Sequence, residues 1–388
     1  MPAPYWTDAY KGRGISGIVN CGNTCYMNAC LSVLSHTYEL HKLLDNVHLQ
    51  ARRKTLGDRK FNARLLDDWN ELRNMLWAQN CTVAPGGFVS AVQRVSRHMD
   101  NFQFQGWNQS DGGEFLLFLL DAFHNALARS VVMRVEGVEK NGVDIVAKQC
   151  YGMMKQRYAK DYSEILDIFY GVQISIISDP GSTSALSANP EPFSVLDMVV
   201  AQPPSPPEES NGSEEAERNL GNKPGRSKRS SVTLHECFDA YCARERLDGE
   251  NSWWNEKTNR KQPVDKYLTF WSLPEVMIIN LKRFSQTSTY GRYKKNTASV
   301  AIPVRNVSFS KYVSGYNSEK YVYDLFGVCN HTGSTDGGHY TATVKVADGR
   351  WFNFDDATVS EVTNMPESHI HGTSPYCLFY RRRTNATQ

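Results

Sequence analysis

The stretch Asn20–Leu34, NCGNTCYMNACLSVL, sets Cys21 and Cys25 four residues apart in a polar, glycine-broken turn that runs into an amphipathic helix. Two thiols at that spacing suit a metal site, a disulfide or a nucleophile. A free thiol of pKa near 8.5 is only about a few per cent thiolate at neutral pH, and the thiolate is the attacking form. With Asn23 or Thr24 as N-cap, Cys25 falls at the first helical positions. Free N–H groups and the positive end of the helix dipole stabilise an anion there, so a lowered thiol pKa is expected. Cys30 and Leu31 face the core instead. A small buried hydrophobe satisfies the same position, so a nucleophile must be argued from a base.

His339 supplies the base within TDGGHYTATVKVADGRWFNFDDATV. Gly337 and Gly338 let the backbone approach closely ahead of it, and Tyr340 to Val346 alternates as a strand. If Ala347, Asp348 and Gly349 form a three-residue turn with Gly349 left-handed, Val346 pairs with Arg350, and His339 shares a face with Asp355 one diagonal step away. A two-residue Asp348-Gly349 turn selects Asp356. Cys25, His339 and Asp355 then follow the order of a papain-like site: the carboxylate fixes the imidazole tautomer, and the imidazole takes the thiol proton and returns it to a leaving amine. Asn20, in the turn before the helix, can aim its amide at the space beside the Cys25 N–H as an oxyanion donor. One such donor contributes about 2.7–4 kcal/mol, whereas a turn-forming asparagine contributes nothing to the chemistry.

These residues need a scaffold that joins a helix start to a distant hairpin. The chain has 388 residues, 40% hydrophobic and 22% charged, enough for a large core or a few subdomains. A net charge of +2 without a clustered Lys/Arg stripe argues against a nucleic-acid binder. No apolar run has membrane-spanning length, and MPAPYWTDAYKGRG lacks the apolar centre of a signal peptide, which points to the cytoplasm or nucleus and to no membrane partner. Nine cysteines without recurring spacing fit reduced thiols. Helical periodicity runs through MNACLSVLSHTYELHKLL, LLDDWNELRNMLWAQ and DGGEFLLFLLDAFHNAL. After about Ile165 it gives way to alternation in YGVQISII, EVMIINLKRF and YDLFGVCNH. Between the strands, Ala201 to Ser231 is dense in Pro, Ser, Glu and Gly and reads as a disordered insertion; its basic end KPGRSKR reads as a solvated loop before an import signal.

GISGIVNCGNTCYMNACLSVL resembles the cysteine box of the ubiquitin-specific proteases, and YDLFGVCNHTGSTDGGHYTATVKV with RWFNFDDATVSEV resembles their histidine box; LPEVMIINLKRF is another signature of that family. The resemblance covers Gly12 to Arg383. It implies an α+β, papain-like cysteine peptidase fold with a helical thumb and β palm and fingers. By position it assigns the third triad member to Asp355, a supporting role to Asp356 and the oxyanion donor to Asn20. The activity implied is thiol-dependent hydrolysis of the (iso)peptide bond after the C-terminal glycine of ubiquitin, with ubiquitin and ubiquitinated proteins as partners and no cofactor. The alternatives are a silent ubiquitin-binding scaffold, a protease for another ubiquitin-like modifier and a general peptide-cleaving relative.

NQSDGGEFLLFLLDAF resembles a further box of the family, which implies that Gln109, Asp111, Glu114, Gly338 and Tyr340 hold the substrate's arginine-bearing Gly-Gly tail. Carboxylates three apart can pair with guanidinium groups, although Asp followed by Glu at that spacing is also a capping pattern. Ser110 and Gly112 depart from the family's residues, and Gly112-Gly113 should loosen the helix start. Many relatives carry a zinc ribbon in the fingers. Here Asn255 and Thr258 fall where one cysteine pair belongs, SIISDPGSTSAL offers no other, and Cys237 and Cys242 are five apart. Metal-free fingers packed by Trp253 and Trp254 are therefore expected. SQTSTYGRYKKNTASV and NHTGSTDGG are candidate loops bordering the groove.

Overall fold

The computed structural model describes residues 5–49, 60–182, 184–201, 231–286, 293–334, 337–366 and 368–383. The expected insertion lies, but for its two end residues, outside them.

The thumb begins with helix Cys25–Leu34, every residue of which is buried. The single helix expected to run on to Leu44 breaks in two, the second piece being Tyr38–Leu44. Side chains cause the break. The Ser35 hydroxyl and His36 Nδ1 both reach the Ser32 carbonyl, at 3.1 and 2.8 Å, and the Thr37 hydroxyl reaches the Val33 carbonyl at 3.4 Å. These contacts compete with the helix's own ladder. Helices Lys60–Ala78, Gly86–His98 and Gly112–Leu127 complete the thumb, with Trp69 between Phe88 and Phe123 at centroid distances of 6.0 and 6.3 Å.

The palm is a largely antiparallel sheet whose main path runs Thr358–Glu361, Trp351–Asp355, Gly338–Lys345, Val322–Gly333, Pro375–Arg382, Val276–Lys282 and Val195–Val199. Its central strands read as nearly continuous apolar runs because both faces are covered. Val276 and Ile278 enter the core shared with the thumb, while Met277, Ile279 and Leu281 enter a second core around Phe238, Phe270 and Phe309. Helix Cys25–Leu34 lies directly on this sheet. A Cβ on Gly327 would come within 2.2 Å of Val33 Cγ1, so the close approach of helix and strand depends on that glycine.

The fingers are a second sheet, ordered Ala185–Phe193, Gly171–Ser178, Val264–Ser272 and Glu245–Leu247, with helix Gly142–Tyr158 packed on it through Ala147 and Cys150. At the tip, Arg246 Nε meets Asp265 at 2.6 Å, and that carboxylate also accepts the Gly181 N–H at 2.8 Å. The hairpin of Trp253–Asn255 and Arg260–Gln262 closes on Asn255, whose Oδ1 accepts the N–H groups of Lys257 and Thr258 at 3.0 and 3.4 Å. The expected packing by the tryptophans is found only in part: Trp253 is half-buried and Trp254 is 50% exposed. Hydrogen bonds and an ion pair hold the fingertip. Cys237 is buried in the palm's second core, and Cys242 ends its helix. Among the described residues no helix is long and apolar enough to cross a membrane.

Candidate active site

Asn20 shapes the turn before Cys25. Its Oδ1 accepts the N–H groups of Gly22 and Thr24 at 2.9 and 3.2 Å, while Gly22 and Asn23 take left-handed φ angles of 103° and 54°. Thr24 is the N-cap without capping by its side chain; its hydroxyl accepts the Cys21 N–H at 2.9 Å instead. Cys25 is only 4% exposed. Burial pushes its thiol above the ordinary value and the Asp356 carboxylate adds to the rise, against backbone amides of Tyr340, Tyr26 and Cys25 itself that favour the thiolate. The lowered pKa expected from the helix position is thus overturned, because desolvation outweighs the helix-end amides.

The hairpin opposite forms in the three-residue register. Val346 N–H bonds the Arg350 carbonyl at 2.9 Å, Gly349 is left-handed at φ 91°, and Ala342 faces Phe354. His339 Nε2 meets Asp355 Oδ1 at 2.6 Å. An ionised carboxylate only accepts, so Nε2 carries the proton and Nδ1 is left bare. Asp356, left-handed at φ 50°, turns the other way. Its carboxylate accepts Asn20 Nδ2 at 2.9 Å and Asn28 Nδ2 at 2.7 Å, and its carbonyl accepts the Ile18 N–H at 2.8 Å. Ligand atoms of His339, Asp355 and Asp356 lie within 4.8 Å of one another, but each carboxylate already has an internal partner. One amide hydrogen of Asn20 is therefore committed to Asp356, which fixes the side chain's orientation.

The residues expected to hold a substrate tail divide. Gln109 closes on the protein's own backbone, Nε2 donating to the Gly338 carbonyl and Oε1 accepting the Gly338 N–H, both at 3.1 Å. Asp111 is a helix cap: Oδ1 accepts the N–H groups of Gly113 and Glu114 at 2.7 and 3.1 Å, and Oδ2 accepts the Tyr376 hydroxyl. Tyr340 is buried, its hydroxyl accepting the Gly112 N–H at 3.4 Å. Glu114 is exposed and has no ion pair among the described residues. Partial burial, Asp111 and Asp197 raise its carboxyl pKa, against the nearby Lys282.

Gly112 and Gly113 do not loosen the helix, which starts at Gly112. They allow close packing. A Cβ on Gly113 would stand 2.6 Å from Asn280 Nδ2, and Asn280 is itself held by Asp197 at 2.8 Å. Gly113→Ala should therefore destabilise the fold by about 1–3 kcal/mol, read as a lower urea midpoint; an unchanged midpoint would show that Asn280 yields freely.

Sequence reasoning missed Asn28, Tyr376 and Asn280. Asn28 and Asn280 carried a signal, a polar residue within an apolar helix and an apolar strand; Tyr376, one more aromatic in an apolar strand, carried none. Of the two candidate groove loops, residues 287–292 and 335–336 lie outside the described residues. Their flanks form strands Phe284–Gln286 and Tyr293–Lys295 and the ends of Val322–Gly333 and Gly338–Lys345.

The chain is similar in sequence to ubiquitin carboxyl-terminal hydrolase 2 of Homo sapiens, 30% identical over 95% of this chain and 55% of the relative, and to that of Bos taurus, 29% identical over the same shares. It spans about half the length of these two relatives. In fold it is similar to the solved SAGA Ubp8/Sgf11/Sus1/Sgf73 DUB module bound to ubiquitin aldehyde, with a TM-score of 0.66 at 20% identity, over 98% of this chain and 74% of that one. The family model described as ubiquitin carboxyl-terminal hydrolase matches residues 16–380, nearly the whole palm, thumb and fingers, and the chain belongs to that family.

Proposed function

We propose that this chain is a thiol-dependent deubiquitinase that hydrolyses the (iso)peptide bond after the C-terminal glycine of ubiquitin. The observation that carries the reading is the His339–Asp355 hydrogen bond of 2.6 Å, which leaves the imidazole Nδ1 bare on a strand that packs against the helix begun by Cys25. His339 takes the Cys25 thiol proton as Sγ attacks the glycine carbonyl. The imidazolium, stabilised by Asp355, then protonates the leaving amine. Water, activated by the same imidazole, releases the acyl-enzyme. Asn20, oriented by Asp356, and the Cys25 N–H stabilise the oxyanion.

Glu114, exposed and without an ion pair among the described residues, is the carboxylate left to meet a tail arginine, and exclusion of side chains larger than glycine from a narrow groove gives the specificity of this reading. Ubiquitin and ubiquitinated proteins are the partners of this reading. Ubiquitin bearing a C-terminal thiol-reactive warhead tests it: one ubiquitin adduct by mass, lost in Cys25→Ala, is expected. Binding without an adduct would favour a silent scaffold, and faster labelling by another modifier's warhead would reassign the substrate.

A further inference from the structure

The strand that presents His339 starts at Gly338, and Gly338 is gripped on two sides. Gln109 pairs with its N–H and carbonyl as a neighbouring strand would. Opposite, a Cβ on Gly338 would stand 2.2 Å from His331 Nε2 and 2.6 Å from the Thr332 carbonyl, so the strand start rests directly on His331.

His331 is only 4% exposed, enclosed by the rings of Tyr340, Phe284 and Tyr376 at centroid distances of 4.6, 5.3 and 5.9 Å. Its Nδ1 lies 2.9 Å from Lys295 Nζ. An ammonium has no acceptor, so Nδ1 is bare and the proton sits on Nε2, facing Gly338. The same Nζ donates to the carbonyls of His331 and Gly333 at 2.8 and 3.2 Å. Lys295 thus has three acceptors, all on the end of one strand, and no ion pair among the described residues. Burial and the Arg283 charge hold its pKa below the usual lysine range, and burial with the Lys295 charge lowers His331 to about 4, so the imidazole stays neutral.

The lysine is anchored from behind. Fully buried Arg283 donates to the carbonyls of Pro375, Ala298, Asn296 and Gly372 at 2.7, 2.9, 3.1 and 3.3 Å, fixing the chain just after Lys295. A rigid path therefore runs from Arg283 through Lys295 and His331 to Gly338, the residue before His339.

We propose that Lys295 is a positioning residue for the catalytic histidine: by holding His331 in one tautomer and one place, it sets the start of the strand that presents His339 to Cys25. The inference rests on the thiol-hydrolase reading above. Lys295→Met keeps the aliphatic stem and removes the donors; Lys295→Arg keeps donors. Each is compared with wild type by turnover of a fluorogenic ubiquitin C-terminal amide, by iodoacetamide alkylation of Cys25 resolved by mass spectrometry without ubiquitin, and by Tm.

Lys295→Met should lower kcat by about 10- to 100-fold with KM within about twofold, because misplacing the base costs chemistry and not tail binding. Cys25 alkylation should slow in parallel, Tm should hold, and Lys295→Arg should recover most of the rate. Unchanged kcat and alkylation in Lys295→Met would overturn the proposal. So would losses that follow Tm in both variants, the mark of a merely structural role. Should Lys295→Met not fold, Lys295→Gln, which keeps an amide NH₂ donor group without the charge, is read by the same measures. If wild type fails to turn over the ubiquitin substrate while Cys25 alkylation still depends on Lys295, the substrate assignment falls and the brace stands.

Discussion

Cys25→Ala is expected to lower kcat on a ubiquitin amide by at least about 10⁴-fold while ubiquitin binding is retained, because it removes the thiol that this reading makes the acyl-enzyme former. The substitution removes one sulfur from a buried position and breaks no hydrogen bond that shapes the turn: Asn20 still ties Gly22 and Thr24, and Thr24 still holds Cys21. Glu114 and the Gln109–Gly338 pair are also untouched. Binding is measured with fluorescent ubiquitin and turnover with the amide. Turnover surviving at a tenth of wild type would move the nucleophile to Cys21, the other thiol of the turn, whose Sγ makes only a weak contact of 3.8 Å with the Val19 carbonyl.

The second large effect separates adjacent acids. Asp355→Ala removes the one hydrogen-bond partner that His339 Nε2 has among the described residues and frees the imidazole to rotate and change tautomer, so kcat should fall by about 10²–10⁴-fold. Its carboxylate is 47% exposed, and Tm should barely move. Asp356→Ala behaves differently. It deprives Asn20 and Asn28 of their shared acceptor and places alanine at a left-handed φ of 50°, a strain of roughly 1–2 kcal/mol. Tm should therefore drop clearly, with a smaller loss of kcat from the unanchored oxyanion donor. A larger kcat loss at Asp356 than at Asp355 would overturn the triad assignment.

What was legible in the sequence was local. The three-residue turn at Ala347–Gly349 carries its own register, and register alone brings His339 to Asp355, sixteen residues on. The order of helices and palm strands was likewise legible from periodicity, as was the helix start at Cys25. Long-range contacts were not. Asn20 finds Asp356 336 residues away, and nothing near either residue announces it. The thiol's raised pKa comes from burial between helix and sheet, which a helix-end argument cannot contain. Asp111 looked like either a cap or an arginine partner; its bond to Tyr376, across 265 residues, adds an internal partner to the cap. The Gly112-Gly113 pair misled because its purpose is a neighbour, Asn280, and not its own helix.

The fingertip has a consequence for the conditions under which this protein works. Arg246, Asp265 and the Gly181 amide, with Asn255 closing its hairpin, do structural work often given to a thiolate-bound ion, and none of these groups can be stripped by a chelator or oxidised by peroxide. A chelator or peroxide, either of which opens a thiolate ribbon, should therefore leave these contacts intact. The variable the tip answers to is ionic strength, since the Arg246 side chain is 49% exposed and its attraction to Asp265 is screened as salt rises.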